Sequence, residues 1–480
     1  MERLSTRNIF YFISLTAVFI ISLATAIWTD IYTFLLVPFA ILILLFGWLR
    51  MEIAFLLLLL ALPFSFEYNF TPTLGTDIPD EGLMLMTALL FLGYWVYKPD
   101  TINNGISNHI LFFLLLVHIA WILTTAITST YPLLSFKFLL AKLWYLGAFV
   151  LAPILLFKDR RIIRYSALVL AIPILLLVLI ALIRHAGDQF SFAAANDAVA
   201  PFFRNHVTYS SMVVCLLPLF FSFYALTKNS NTRFWIAFSI IILLVALFFS
   251  YARGAWLALV MGIIAYWFIR KKWLFQTYII ATILTIAALF WIKSEDRYLK
   301  YAHDYQTTIY HEDFGEHLVA TYKLKDVSTA ERFYRWIAGI RMVKDNWVSG
   351  FGPNTFYENY KPYGVPAFKT WVSDNKEHST VHNYFLLVAI EQGIPGLLIF
   401  LMLLGAMFYY SQHLYHRIQD AFYKVAAITV GVVLVMISTV NFLSDLIETD
   451  KIGSLFFLCL STLIMIDINT RNESKSSSHI

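Results

Sequence analysis

The chain has 480 residues, of which 60% are hydrophobic and only 14% charged, and its mean hydropathy is +0.71. A soluble domain carries roughly 25% charged residues, so the composition excludes an ordinary soluble enzyme. The net charge of +5 is small, and it is spread over short connections rather than gathered in a patch for nucleic acid.

A bilayer-spanning helix needs about 20 mainly apolar residues. About fourteen stretches are candidates, centred near residues 18, 40, 57, 90, 118, 147, 173, 215, 242, 262, 283, 396, 433 and 460. The third is short, because Met51 to Leu62 runs into Pro63, and the expectation is therefore twelve to fourteen spans in an all-α polytopic membrane protein. The first run lacks a small-x-small exit and a second follows at Ile31, so it reads as a retained helix and not a cleaved signal peptide. Arg3 and Arg7 precede the first span. Arg50, Lys98, the group Lys158, Arg160, Arg161 and Arg164, then Lys228 with Arg233, Arg270 with Lys271 and Lys272, and Arg417 with Lys424 fall in alternate connections. Positive loops stay cytoplasmic, which predicts both termini inside and the segment Lys293–Val381 outside. Cys215 and Cys459 both lie in apolar runs, so neither a disulfide framework nor a thiol metal site is expected.

Residues Lys293 to Val381 hold 24 of the chain's charged side chains, out of 35 Lys and Arg and 30 Asp and Glu. The chain accordingly divides into N-terminal spans over 1–292, a large, partly helical outer loop over 293–381, C-terminal spans over 382–468 and a polar tail over 469–480. Within the loop, Ser328-Thr-Ala-Glu331 matches a capping box. Phe333, Trp336, Ile337, Ile340 and Val343 then repeat at helical spacing, with Arg332 and Arg335 sharing a face and Gly350-Phe-Gly-Pro353 ending the helix.

Three arginines break the positive-inside pattern. Arg184 and Arg204 bracket the loop before the eighth span, and Arg253 sits in the tight turn Ser250-Tyr-Ala-Arg-Gly-Ala-Trp256. A guanidinium at the membrane edge either snorkels to lipid headgroups or binds an anion such as a diphosphate in a bidentate way. Asn205, His206, Thr208 and Tyr209 form a polar cluster with Arg204. Arg332 is open to solvation or to pairing with Glu331 or Asp345. His382 precedes a span in Val381-His-Asn-Tyr-Phe-Leu386 and suits proton transfer near neutrality, or merely caps the helix, and His378 competes for its role. Glu391 lies about 13 Å further along that helix, where it either fixes an arginine or closes a contact beside Gly393, Pro395 and Gly396. Lys142 is one turn deeper than an interface residue, with no acid identifiable as its partner.

Three stretches together resemble the O-antigen ligase and polymerase superfamily of bacterial envelope glycosyltransferases. They are Ser250–Ala258, then Glu331-Arg-Phe-Tyr-Arg-Trp336 running into Gly350-Phe-Gly-Pro-Asn-Thr-Phe356, and His382–Leu386 with Glu391-Gln-Gly-Ile-Pro-Gly-Leu397. The resemblance covers about Arg204 to Leu404. It implies a GT-C-like membrane enzyme with a large periplasmic loop, set in the bacterial inner membrane. The implied donor is a glycan on undecaprenyl diphosphate, and the acceptor is a lipid A-core sugar or another glycan, surrounded by membrane lipids. It implies no metal and no nucleotide, hence no cofactor, and the topological spread of the charges speaks against a nucleic-acid partner. It assigns catalytic places to Arg253, Arg332 and His382, with Arg335 a competitor for Arg332. Arg204, His206, Tyr209, Asn383 and Glu391 are the further candidates for substrate binding. Transfer onto another lipid-linked repeat (a polymerase) or onto protein stays open. A transporter suits the helix count, but its site would lie near the midplane on broken helices, often in inverted repeats, whereas these polar residues gather at the outer face.

Overall fold

The computed structural model describes residues 6–29, 37–71, 74–102, 104–293, 327–365 and 380–477. Each of the apolar centres read from the sequence falls in a helix. These are α1 (Thr6–Thr29), α2 (Val37–Leu49), α3 (Met51–Ala61), α4 (Asp80–Tyr97), α5 (Ile110–Ile127), α6 (Pro132–Leu146), α7 (Arg160–Gly187), α8 (His206–Leu226), α9 (Ser230–Phe249), α10 (Arg253–Arg270) and α11 (Leu274–Lys293). After the amphipathic α12 (Val327–Asp345) come α13 (Tyr384–Arg417), α14 (Ala421–Phe442) and α15 (Asp450–Ser477). Helix α6 continues through a π-helical turn, Gly147–Leu151, into Ala152–Leu156.

The chain is an all-α polytopic membrane protein. Among the described residues, nine helices are long and apolar enough to cross a bilayer, and Thr16–Thr29, Met51–Phe64 and Leu274–Ala288 are shorter apolar stretches. Helices α2 and α3, of 13 and 11 residues, rise about 20 Å or less at 1.5 Å per residue, short of the roughly 30 Å hydrocarbon core. Among the described residues the strands form a single hairpin between α3 and α4, in which β1 (Phe66–Thr71) pairs antiparallel with β2 (Leu74–Ile78).

The core lies where α13, α14 and α15 meet. In α15 83% of the apolar window is buried, against 22% in α9, so α15 is the axis of the bundle and α9 part of its rim. Exposed Phe234, Trp235, Ile241, Phe248, Ile264 and Trp267 on α9 and α10 form an apolar exterior of the kind a bilayer covers. Helix α10 runs close along α14 because Gly262 leaves room for Met436, whose Cε would lie 2.1 Å from any Cβ there.

At the end of the bundle opposite α12, Asp467 is fully buried and holds three elements together. It meets His109 Nε2 at 3.2 Å, Arg417, and Arg471 Nη2 at 2.8 Å. His109 in turn caps α5 by accepting the Leu111 N–H at 3.2 Å. Removing one partner of a buried charge set strands the others, so Asp467→Ala is expected to lose about 3 kcal/mol of stability, the lower end of that range, because both arginines keep contact with solvent. A thermal melt of the purified protein in detergent checks this.

Candidate functional site

Arg253 opens α10. The preceding turn is sharp because Tyr251 takes a left-handed conformation (φ 54°) and Ala252 an extended one. Aromatic residues hold it on both sides. Tyr251 Oη donates to the Phe190 carbonyl at 2.6 Å, and Trp256 Nε1 donates to the Leu247 carbonyl at 2.8 Å while stacking on Phe248. Arg253 is half-buried. A cation at a helix start opposes the macrodipole, whereas free N–H groups beside a guanidinium suit an anion.

Helix α12 carries the other two arginines, and the structure separates them. Arg335 is 2% exposed. Its Nε donates to Glu331 Oε2 at 3.2 Å, its Nη1 to the Thr380 carbonyl at 2.8 Å, and its guanidinium lies 5.9 Å from the Tyr360 ring centre. Arg335 therefore fixes α12 to the chain before α13, while Arg332 stays partly exposed. Helix α12 starts at Val327, ahead of Ser328, and the Glu331 carboxylate meets Arg335. Trp336 Nε1 donates to the Val381 carbonyl at 3.0 Å.

His382 stands between Val381 and the Asn383 cap of α13, whose Oδ1 accepts the Leu386 N–H at 3.0 Å. Its backbone is left-handed (φ 51°), which histidine tolerates better than most residues but at a cost. Burial first, then the Arg332 and Arg335 guanidiniums, push its imidazole down to about 3. His382 is therefore neutral near pH 7, and a weaker base than a free imidazole. His378 lies outside the described residues.

One short stretch joins these parts. Between α14 and α15, Phe442 packs against Trp336, and Leu443 lies 3.8 Å from where a Cβ on Gly254 would sit. The Ser444 carbonyl accepts the Tyr384 N–H at 2.9 Å, and Asp445 Oδ2 accepts from Thr380 Oγ1 at 2.6 Å. The starts of α10 and α13 and the face of α12 thus converge on Phe442–Asp445. Burial raises the Asp445 pKa. Further along the same connection, Glu448 meets Lys142 at 2.7 Å, which supplies the acid that the sequence left unassigned. Asp445 and Glu448 were not singled out in the sequence, where two acids in a short connection between helices look ordinary.

Among the described residues, Glu391 meets no arginine. Its two oxygens accept the backbone N–H groups of Asn354, Thr355 and Phe356 at 2.8, 3.0 and 3.1 Å. The cause lies in α13 itself, which breaks at Gly393 (φ 72°). Pro395 has no N–H, so the Glu391 carbonyl accepts Gly352 N instead, at 2.9 Å. The Ile394 N–H turns to the Trp347 carbonyl, and the Ile390 carbonyl takes Phe351 N at 3.0 Å. Gly350 is required, because a Cβ there would lie 2.4 Å from the Glu391 backbone. The Gly-Phe-Gly-Pro and Glu-Gln-Gly-Ile-Pro-Gly stretches are two halves of one joint. Glu391→Ala strips a carboxylate from three amides, and hydrogen bonds to charged groups contribute about 1.5–3 kcal/mol each. A loss of about 3 kcal/mol or more, read by thermal melting, is the expected result.

The Arg204–Tyr209 cluster lies beside the Arg253 turn. Asn205 caps α8 by accepting the Thr208 N–H at 2.9 Å. His206 Nδ1 is 2.7 Å from Asn196 Oδ1, and Tyr209 is buried against Phe203. Phe192 touches both His206 and Tyr251, and a small cavity is lined by His185, His206, Tyr209, Phe249 and Ser250. Arg204 itself is exposed, and Arg184 donates to the Ala200 carbonyl.

Fold and site together define a polytopic helical membrane protein with a cationic, histidine-bearing site at one end of its bundle. Residues 238–401 match the family model described as O-antigen ligase. The match runs from α9 into α13 and contains Arg253, Arg332, His382 and Glu391, whereas the Arg204 cluster precedes it. No curated protein matches the chain.

Proposed function

We propose that the protein transfers a glycan from undecaprenyl diphosphate to an acceptor sugar, on lipid A-core, at the periplasmic face of the inner membrane. The observation that carries this reading is the convergence of the Arg253 helix start, the Arg332 face and His382 on the Phe442–Asp445 stretch. An anionic diphosphate fits two guanidiniums and the amides of a helix N-terminus. His382 Nε2 or Nδ1 takes the proton of the acceptor hydroxyl as its oxygen bonds to the glycan C1. The C1–O bond to the carrier breaks, the electron pair leaves with undecaprenyl diphosphate, and Arg253 and Arg332 offset the charge that develops there. A single displacement inverts the anomeric centre. Arg335 and Glu391 act by position, the first holding Thr380 and the second the loop after α12.

The test is complementation of a deletion strain with wild type, Arg253→Ala, Arg332→Ala or His382→Ala, reading the size of the surface glycan and the carrier it is on. Long chains stranded on undecaprenyl diphosphate in all three variants support the ligase reading. Single repeats joined to the core make the enzyme a polymerase of the same superfamily, and loss of glycan from protein alone makes it a protein O-oligosaccharyltransferase. Unchanged glycan in all three sinks the assignment of the site.

A further inference from the structure

Asp77 lies near the end of β2, Asp80 opens α4 and Asp450 opens α15, and one carboxylate oxygen of each lies within 4.8 Å of the others. Asp80 is fully buried. Its Oδ1 accepts the Glu81 N–H at 3.0 Å, whereas its Oδ2 has no hydrogen-bond partner among the described residues. Asp450 Oδ2 is enclosed as well, and the Asp450 carboxyl faces that of Asp77. The neighbouring Lys451 does not meet this need. Its Nζ donates to the carbonyls of Pro63 at 3.2 Å, Ser65 at 2.9 Å and Phe202, and an ammonium has only three hydrogens to give. Helix N-termini favour one carboxylate each, which explains Asp80 and Asp450 singly. It explains neither their convergence with Asp77, since like charges at this range repel, nor a buried oxygen left without a donor.

We propose that Asp77, Asp80 and Asp450 bind a hard divalent cation, calcium, which ties the β1–β2 hairpin and α4 to the start of α15. Three carboxylates and the Lys451 ammonium leave a charge of two to be balanced, and Glu81, hydrogen-bonded to Thr76, stands at the rim. Oxygens on opposite sides of calcium are about 4.6–5.2 Å apart, so three oxygens within 4.8 Å of one another can share one such ion. The bound ion takes no part in transfer chemistry. It anchors the far end of the connection that carries Asp445 and Glu448, and the inference stands whether or not the chain is a ligase.

The experiment uses the full-length protein purified in detergent and stripped with EDTA. Equilibrium dialysis against radiolabelled calcium is expected to give about one ion per chain, and 1 mM calcium chloride to raise the unfolding temperature by several degrees through linkage. Magnesium chloride at the same concentration gives less than half that rise. Asp80→Asn and Asp450→Asn each abolish binding and shift, and should one fail to fold, the other decides. Absence of binding by the wild type overturns the proposal, as does calcium binding that survives in Asp450→Asn. An Asp80→Asn protein more stable than the EDTA-stripped wild type, with no calcium response in either, overturns it in favour of carboxyls sharing protons.

Discussion

His382→Ala is expected to lower turnover in glycan transfer by about 10²- to 10⁴-fold, the usual contribution of a positioned proton acceptor, with the donor KM little changed. The left-handed backbone at this position (φ 51°) supplies a control. Asparagine accepts that conformation nearly as well as histidine but cannot take the proton, so His382→Asn keeps the fold and still loses turnover. A His382→Asn enzyme with near-normal turnover would rule out the general base. The pH profile adds a finer check. In the free enzyme burial and the two arginines hold the imidazole near 3, so the acid limb of kcat/KM lies well below pH 6. A bound diphosphate offsets the arginine charge and adds its own, which raises the imidazole pKa, so the acid limb of kcat lies at higher pH than that of kcat/KM. Stability follows the same group with a definite sign. The folded value of about 3 lies below the ordinary 6.5, so the unfolded chain binds more protons between them. That contribution is complete above about pH 6.5 and is lost as the pH falls towards 3, and His382→Asn flattens the slope in this window.

The helices were legible because apolar runs of spanning length leave a bilayer protein little choice of structure. Their number was less so, since α2 and α3 are separated by a single residue, Arg50, and neither alone has the length of a span. The residues of the site were readable as types, an arginine in a tight turn and a histidine before a span. Their division of labour was not. Arg332 and Arg335 share a face on any helical wheel, and only the Thr380 carbonyl and Glu331 decide that Arg335 is the buried tie. Glu391 could not be assigned from α13 alone, because its partners are amides of the loop after α12. Lys142 and Glu448 come from distant parts of the chain, and no local pattern links them. The same holds for Asp77, Asp80 and Asp450, which are unremarkable until a hairpin and two helix starts are brought together.

Arg253→Ala is expected to reduce kcat/KM for the lipid-linked donor by about 10²- to 10³-fold, the scale for removing one preorganised donor to a developing anion. Arg253→Lys is expected to recover little of it. The reason is geometric. The guanidinium presents parallel N–H groups in one plane and matches two phosphate oxygens at once, whereas an ammonium is a hydrated point charge on a flexible stem. At the start of α10 the side chain follows a turn pinned through Tyr251 and Trp256, so the fork is held where the helix amides already favour an anion. Neither variant is expected to lose stability through the macrodipole, because a cation at a helix start opposes it. Binding of undecaprenyl diphosphate alone separates the possibilities. Weaker binding by Arg253→Ala that tracks the loss in kcat/KM means that the residue holds the carrier in the ground state as well. Unchanged binding with lost turnover means that Arg253 acts on the charge appearing as the C1–O bond breaks. Full activity in Arg253→Lys would show that a single positive charge suffices, and would remove the bidentate contact on which the placement of the diphosphate rests.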